Sequence, residues 1–273
     1  RAVSRSETVL AWTVAAVAAV LLTAAVLFLS AGGRWFVVET PSMGVAAPVG
    51  TLVLDMPVDV ETLAVGDVVS FATDANPGVV YTHRIIGIDA KGLHTRGDIN
   101  GATDPWTLTQ HDVIGAPVLL VPHLGWLFRA APILLVGTLL IWTLTSAFTD
   151  RVTRTCLRIA GGALTTSYAA FVLKPFVNVT TITNTSSPEG VEATIVSSGM
   201  FPVRVEAHGG TTVHLVDGQV GRVVIHQLTA NGHYQLTSNI HLDPVGWAAL
   251  VLVCLVPLVL CLAVGRVEPV RAS

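Results

Sequence analysis

The stretch "ETPSMGVAAPVGTLVLDM", Glu39–Met56, sets a Pro-Ser-Met turn a few residues after a long apolar run and directly before a β-type apolar run. A serine in a turn is often only a turn former, because its hydroxyl bonds nearby backbone. What Ser42 does here depends on what surrounds it, and the surroundings are those of a membrane.

Of the 273 residues, 52% are hydrophobic and only 12% are charged. Soluble domains carry roughly 25% charged residues, so the deficit predicts a membrane protein. The net charge of -3 argues against nucleic acid as a partner, since phosphate binding needs a basic patch. Four segments, Val9–Leu29, Trp126–Ser146, Leu157–Leu173 and Val245–Val264, approach the roughly 20 apolar residues that span a bilayer. The third is short and holds Gly161, Gly162, Thr165, Thr166 and Ser167, the small and hydroxyl residues of a helix packed on other helices in lipid. The first exceeds the roughly 7–15 apolar residues of a cleaved signal peptide and reads as an uncleaved anchor.

Arg1 and Arg5 precede the first span, Arg151, Arg154 and Arg158 cluster between the second and third, and Arg266 and Arg271 follow the fourth. The positive-inside rule places these three regions, with both termini and the loop 147–156, in the cytoplasm. Segments 32–125 and 174–244 then face outward. Cys156, Cys254 and Cys261 fall in the loop and the last span, so neither outer segment contains a disulfide. The thiols read as small packing residues rather than metal ligands.

Both outer segments carry strand signatures. In the first, "GTLVLDM", "GDVVSFA", "VVYTHRIIGID" and "HDVIGAPVLLV" are rich in β-branched and aromatic residues between Gly, Pro, Asn and Asp, with "ANPG" (Ala75–Gly78) as a hairpin turn. In the second, "VNVTTIT", "VEATIVS", "VRVEA", "TTVHLV" and "RVVIHQL" predict a small β-sandwich. The first also holds Ser42 in its opening turn, His83 in a strand, and Asp98 and Asp104 in "TRGDINGATDPW". Serine needs a base to attack a carbonyl, and the base needs an orienting acid. Each of these residues also has an ordinary structural use, and chain order alone does not identify a triad.

The ordered motifs "SMGVAAPVGTLVL", "GDVVSF", "THRIIGI", "TRGDINGATDPW" and "VIGAPVLLVPHLGWL" resemble the type I signal peptidase family. The similarity is to its branch from archaea, the endoplasmic reticulum and sporulation-type Gram-positive enzymes, and it covers about Val9–Leu127. The resemblance implies Ser42 as nucleophile, His83 as general base and Asp104 as orienting acid, with Asp98 beside the site or sharing that role. It further implies an enzyme removing signal peptides from secretory precursors at the outer face of a plasma membrane, with the lipid bilayer as its setting. No metal or organic cofactor is implied. The expected fold is a membrane protein with four transmembrane helices, a β-rich signal-peptidase-like catalytic domain and a second small β-sandwich-like outer domain of unassigned role.

The chain departs from that family beside the nucleophile. The usual Ser-Met-Glu-Pro-Thr-Leu/Ile-Pro run reads Ser-Met-Gly-Val-Ala-Ala-Pro, and Pro41 stands where a small residue is common. This departure supports a rival class, a non-catalytic membrane scaffold or assembly subunit with a degenerate peptidase domain. Against it stands the joint retention of Ser42, His83, Asp98 and Asp104. A lysine base is disfavoured on other grounds. Lys91 and Lys174 are the chain's lysines, and neither lies in a strand able to hold the desolvated amine such a base requires. His208, His214, His226, His233 and His241 show no ligand spacing for a metal. Trp35 and Phe36 suit the headgroup level, and Arg129 is placed to snorkel.

Overall fold

Hydrocarbon offers a backbone no hydrogen-bond partner, so a spanning segment must satisfy its own amides. The computed structural model, which describes residues 5–187, 190–226 and 235–267, meets this with four long helices: α1 (Arg5–Ser30), α2 (Leu124–Thr145), α3 (Arg151–Leu173) and α4 (Pro244–Val267). Each is long and apolar enough to cross a membrane. Large apolar side chains stand outward on them, with Leu21 65%, Leu135 71% and Leu252 66% exposed. Such surface costs about 25 cal/mol per Å² in water and little in lipid, so the chain is an integral membrane protein with four candidate spans. Hydroxyls on these helices turn back onto the backbone, as Thr13 Oγ1 does to the Val9 carbonyl at 2.9 Å and Thr23 Oγ1 to that of Ala19 at 2.8 Å. Arg1, His233 and Arg271 lie outside the described residues.

Helix α3 begins at Arg151, earlier than the Leu157 expected from hydropathy. Asp150 caps it, its side chain accepting from the Thr153 amide at 2.6 Å, and a capped start lets the polar first turns become helical. Arg151, Arg154 and Cys156 are therefore helical rather than in a loop. Helices α2 and α3 meet through small residues, Gly137 lying against Thr165 and Gly161 against Ile141. Arg158 Nε donates to Thr145 Oγ1 at 3.0 Å, and its guanidinium lies 4.0 Å from the Trp142 ring centroid.

The chain divides into two compact units, one running to Phe36 and resuming over Leu52–Leu120, the other taking Val37–Thr51 and the chain from Val121 onward. The first contains a curled six-stranded sheet built from β1 (Arg34–Val37), β2 (Leu52–Met56), β3 (Val68–Ala72), β4 (Val80–Asp89), β5 (Gly92–Arg96) and β6 (Val113–Val121), in the order β1-β2-β6-β3-β4-β5. Val69, Phe71, Ile85, Leu93, Leu108 and Val113 form its core. The ANPG turn joins β3 to β4, and Asn76 Nδ2 closes it by donating to the Tyr81 hydroxyl at 2.9 Å.

The second unit carries β7 (Val179–Ser187), β8 (Gly190–Ser197), β9 (Val203–Ala207), β10 (Thr212–Leu215), β11 (Val220–Ile225) and β12 (Leu236–Ile240). They form two three-stranded sheets, β10-β9-β12 and β11-β8-β7. Residues from both, including Ile195, Val203, Val205, Leu215, Val223 and Ile225, share one core, the sandwich arrangement that their alternation predicts. Strands β1, β5 and β12 escape the sequence pattern because they are short and mixed in polarity.

Orientation is open to direct measurement at the exposed link between α2 and α3. A single cysteine, Thr149→Cys in a chain whose own cysteines are alanine, is expected to react with a membrane-impermeant maleimide only after cells are opened. Labelling in intact cells would turn the whole topology over.

Candidate functional site

Strands β3 and β4 pair antiparallel with Val69 opposite His83. On β4, His83 and Ile85 are the buried positions, and His83 is only 5% exposed. Phe71 meets its ring edge-on with centroids 6.1 Å apart, Tyr81 stands at 6.0 Å, and Trp106 closes on Tyr81 at 5.0 Å. Into this aromatic surround comes one carboxylate. Asp104 Oδ2 lies 2.7 Å from His83 Nδ1 and accepts the Thr95 hydroxyl at 2.6 Å. The Asp104 amide in turn donates to the Thr95 carbonyl at 2.9 Å, so the acid is fixed at its backbone as well as its side chain. A carboxylate against Nδ1 selects the tautomer protonated there and makes Nε2 the basic nitrogen.

Asp98 is engaged elsewhere. It forms a two-pronged pair with the neighbouring Arg84, Nε to Oδ1 at 2.8 Å and Nη2 to Oδ2 at 2.7 Å, while Arg84 Nη1 donates to the Gly66 carbonyl at 2.8 Å. The Asp98 hydrogen bonds hold the guanidinium above its ordinary value. Alternate residues of a strand face opposite ways, which is why adjacent His83 and Arg84 recruit different aspartates.

Ser42 belongs to the other unit. It sits half-buried in a 3-10 turn, Pro41–Ala46, with Pro41 at the first position and Met43 and Gly44 buried behind it. The loop carrying this turn is closed by Val38 N to the Thr51 carbonyl at 2.9 Å and Gly50 N to the Val38 carbonyl at 2.8 Å. Gly50, at φ 88°, also accepts from the Gly125 amide at 2.8 Å, and any side chain on it would run into the Trp126 indole. The start of α2 is thereby tied to the serine loop. Arg129 lies 3.7 Å from Glu39 and stacks over Trp126 at 5.3 Å.

Of the four residues singled out from sequence, then, His83 and Asp104 are in direct contact, Asp98 is on Arg84, and Ser42 stands in the second unit. Lys91 and Lys174 are both exposed, so neither amine is desolvated. Among the described residues no group of three or more His, Cys, Asp or Glu is gathered for a metal ion. Two buried polar residues escape the sequence reading, and only the first touches the His83–Asp104 pair. Thr95, fully buried on β5, is a polar residue at an inward strand position, a signal that alternation with Leu93 does carry. Asp55 on β2 is 1% exposed. Burial pushes its pKa up to about 6, with the Ser70 hydroxyl drawing it partly back. Its signal is an acid in register with Val53 inside the run "LVLDM".

No protein-family model matches the chain, and no curated protein matches it at a significant level.

Asp55 gives the first unit a defined pH response. A carboxyl raised in the folded state holds its proton more tightly there than when unfolded, so its stabilising contribution is complete at low pH and lost as pH rises through about 6. Asp55→Asn, which stays neutral, is expected to stabilise the protein at about pH 8 by on the order of 3 kcal/mol, since each tenfold change in proton affinity is worth roughly 1.4 kcal/mol. Most of that gain should vanish at about pH 4. Melting curves in detergent at both values check it, and an equal gain at both would exclude ionisation as the cause.

Proposed function

We propose that the chain is a membrane-bound serine endopeptidase that removes N-terminal signal peptides from exported proteins at the outer face of a plasma membrane. The motifs resembling type I signal peptidases support this reading, and the observation that carries it is the buried His83 held through Nδ1 by Asp104. A histidine so placed is a general base with a fixed tautomer and a carboxylate ready to stabilise the imidazolium.

In this reading Ser42 must deliver its hydroxyl to a general base, and His83 Nε2 is the nitrogen left basic for that task. As Oγ attacks the scissile carbonyl, Nε2 takes the hydroxyl proton and the carbonyl electrons move onto oxygen. The resulting oxyanion is met by the Ser42 amide and a neighbouring donor. Collapse of this adduct breaks the C–N bond, and the imidazolium passes its proton to the departing amine. Water, activated by the same nitrogen, then releases the acyl group from Ser42. The Asp104 carboxylate stays on Nδ1 throughout, held there by the Thr95 hydroxyl. Asp98 has a structural part, bracing Arg84. The apolar core of the signal peptide lies in the bilayer and delivers the cleavage site at the headgroup level, with N- and C-termini of the enzyme cytoplasmic.

The test is cleavage of a secretory precursor by purified protein in detergent. Ser42→Ala and His83→Ala are each expected to abolish it. Asp104→Asn keeps the shape and should slow turnover by up to about 10⁴-fold with little change in melting temperature. Asp98→Asn should retain most turnover and lose stability instead. An unaltered protein that leaves precursors intact would select the scaffold class, and a dead but folded Asp98→Asn beside an active Asp104→Asn would exchange the roles of the two acids.

A further inference from the structure

The departure from the resembled family just after Ser42 coincides with a contact from the second β-rich segment. Gly218, in the turn between β10 and β11, has φ 74°, and a Cβ placed on it would lie 2.5 Å from the Gly44 carbonyl oxygen and 2.7 Å from the Val45 amide nitrogen. Gly44 itself has φ 53° and ψ -132°, a conformation strained for any residue with a Cβ. Two glycine backbones thus pack directly on each other, one in the serine turn and one in the sandwich.

The supporting turn is closely hydrogen-bonded. Gly218 N donates to the Ser197 carbonyl at 2.9 Å, Ser197 N to the Gln219 carbonyl at 3.1 Å, and Gln219 N to the Val216 carbonyl at 3.0 Å. Gln219 Oε1 accepts the Val216 amide at 3.0 Å. Ser197 is fully buried at the end of β8, so the turn is an extension of the sandwich core. The adjacent Asp217 carboxylate reaches 3.5 Å from His123 Nδ1, and His123 immediately precedes α2 in a left-handed conformation at φ 65°. The serine loop is therefore gripped at Gly44 by Gly218 and at Gly50 by Gly125.

We propose that the second β segment positions the nucleophile, with Gly218 as a positioning residue that fixes the Gly44–Val45 backbone and through it the direction of the Ser42 hydroxyl. The catalytic half of this inference rests on the serine-peptidase reading. A short 3-10 turn has few and poorly aligned hydrogen bonds of its own, and a misplacement of about 1 Å at a reacting group costs roughly 10²-fold in rate, so an external support has a task. It also accounts for the missing Glu of the family run. Residue 44 here adopts positive φ and takes a neighbour against its carbonyl, which glycine permits.

Two readouts separate the inference from the reading it rests on. The first is hydrogen exchange of the Met43–Ala47 amides in the full-length protein in detergent; the second is the rate at which a fluorophosphonate labels Ser42. Gly218→Ala is expected to speed exchange in this turn and slow labelling by about 10²-fold, with KM for a precursor peptide nearly unchanged and kcat reduced. Gly78→Ala, at φ 86° with open space around it, carries the same backbone strain without the contact and should match the unaltered protein in both readouts. Gln219→Ala, which removes the brace on Val216, should give a smaller loss of several-fold and keeps the test open if Gly218→Ala does not fold. Unchanged exchange and labelling in the Gly218 and Gln219 variants overturn the inference. An unaltered protein that leaves precursors intact overturns the peptidase reading and the catalytic half with it, while exchange still decides whether Gly218 supports the turn.

Discussion

A chain that enters hydrocarbon must find every backbone hydrogen bond within itself, and this one constraint shapes the rest of the molecule. It turns the four apolar segments into helices and leaves their leucines and valines on the outside, where a soluble protein would hide them. It also leaves most of the charged residues to the connections. Strand β1 starts at Arg34, soon after α1 ends at Ser30, and β6 ends at Val121 just before α2 begins at Leu124. The chain leaves lipid and enters a sheet with little linker between, so each β segment is bounded by rigid elements from its first residue to its last.

Three aspartates of the first unit show how one side chain takes different forms by environment. Asp98 sits at the surface and gives both oxygens to a guanidinium. Asp104 is inside, where an unpartnered carboxylate is costly, and it is held by an imidazole and a threonine hydroxyl. Asp55 is deeper still, with only the Ser70 hydroxyl acting on it, and burial shifts it toward its neutral form. The polar groups within reach, as well as depth, decide what each of them is bonded to.

Much of this is readable from the sequence, for physical reasons that also mark the limit. Span length and the missing charge are properties of composition, so the four helices stand out, except that the Asp150 cap carries α3 past its apolar core. Strands such as "VRVEA" declare themselves by alternation, whereas in β12, reading "LTSNI", Ser238 interrupts the apolar face of Leu236 and Ile240. His83 and Asp104 are visible through motif resemblance, because residue type and order are what motifs preserve. Thr95 is not, since its role depends on a carboxylate brought in from another turn. The approach of Gly218 to Gly44 is further out of reach. It is a contact between two absent side chains, and only a folded backbone reveals it.

The thiols carry a different consequence. Cys156 on α3 and Cys261 on α4 face one another, each Sγ lying 3.8 Å from the other's backbone carbonyl. The pairing is reciprocal, so a slip of one helix along the other by a single turn, about 5.4 Å, would break both contacts together. The two residues serve as a fiducial mark for helix register. All three cysteines lie on these two helices, which leaves both β-rich segments without a thiol and confines any thiol-borne signal to the membrane.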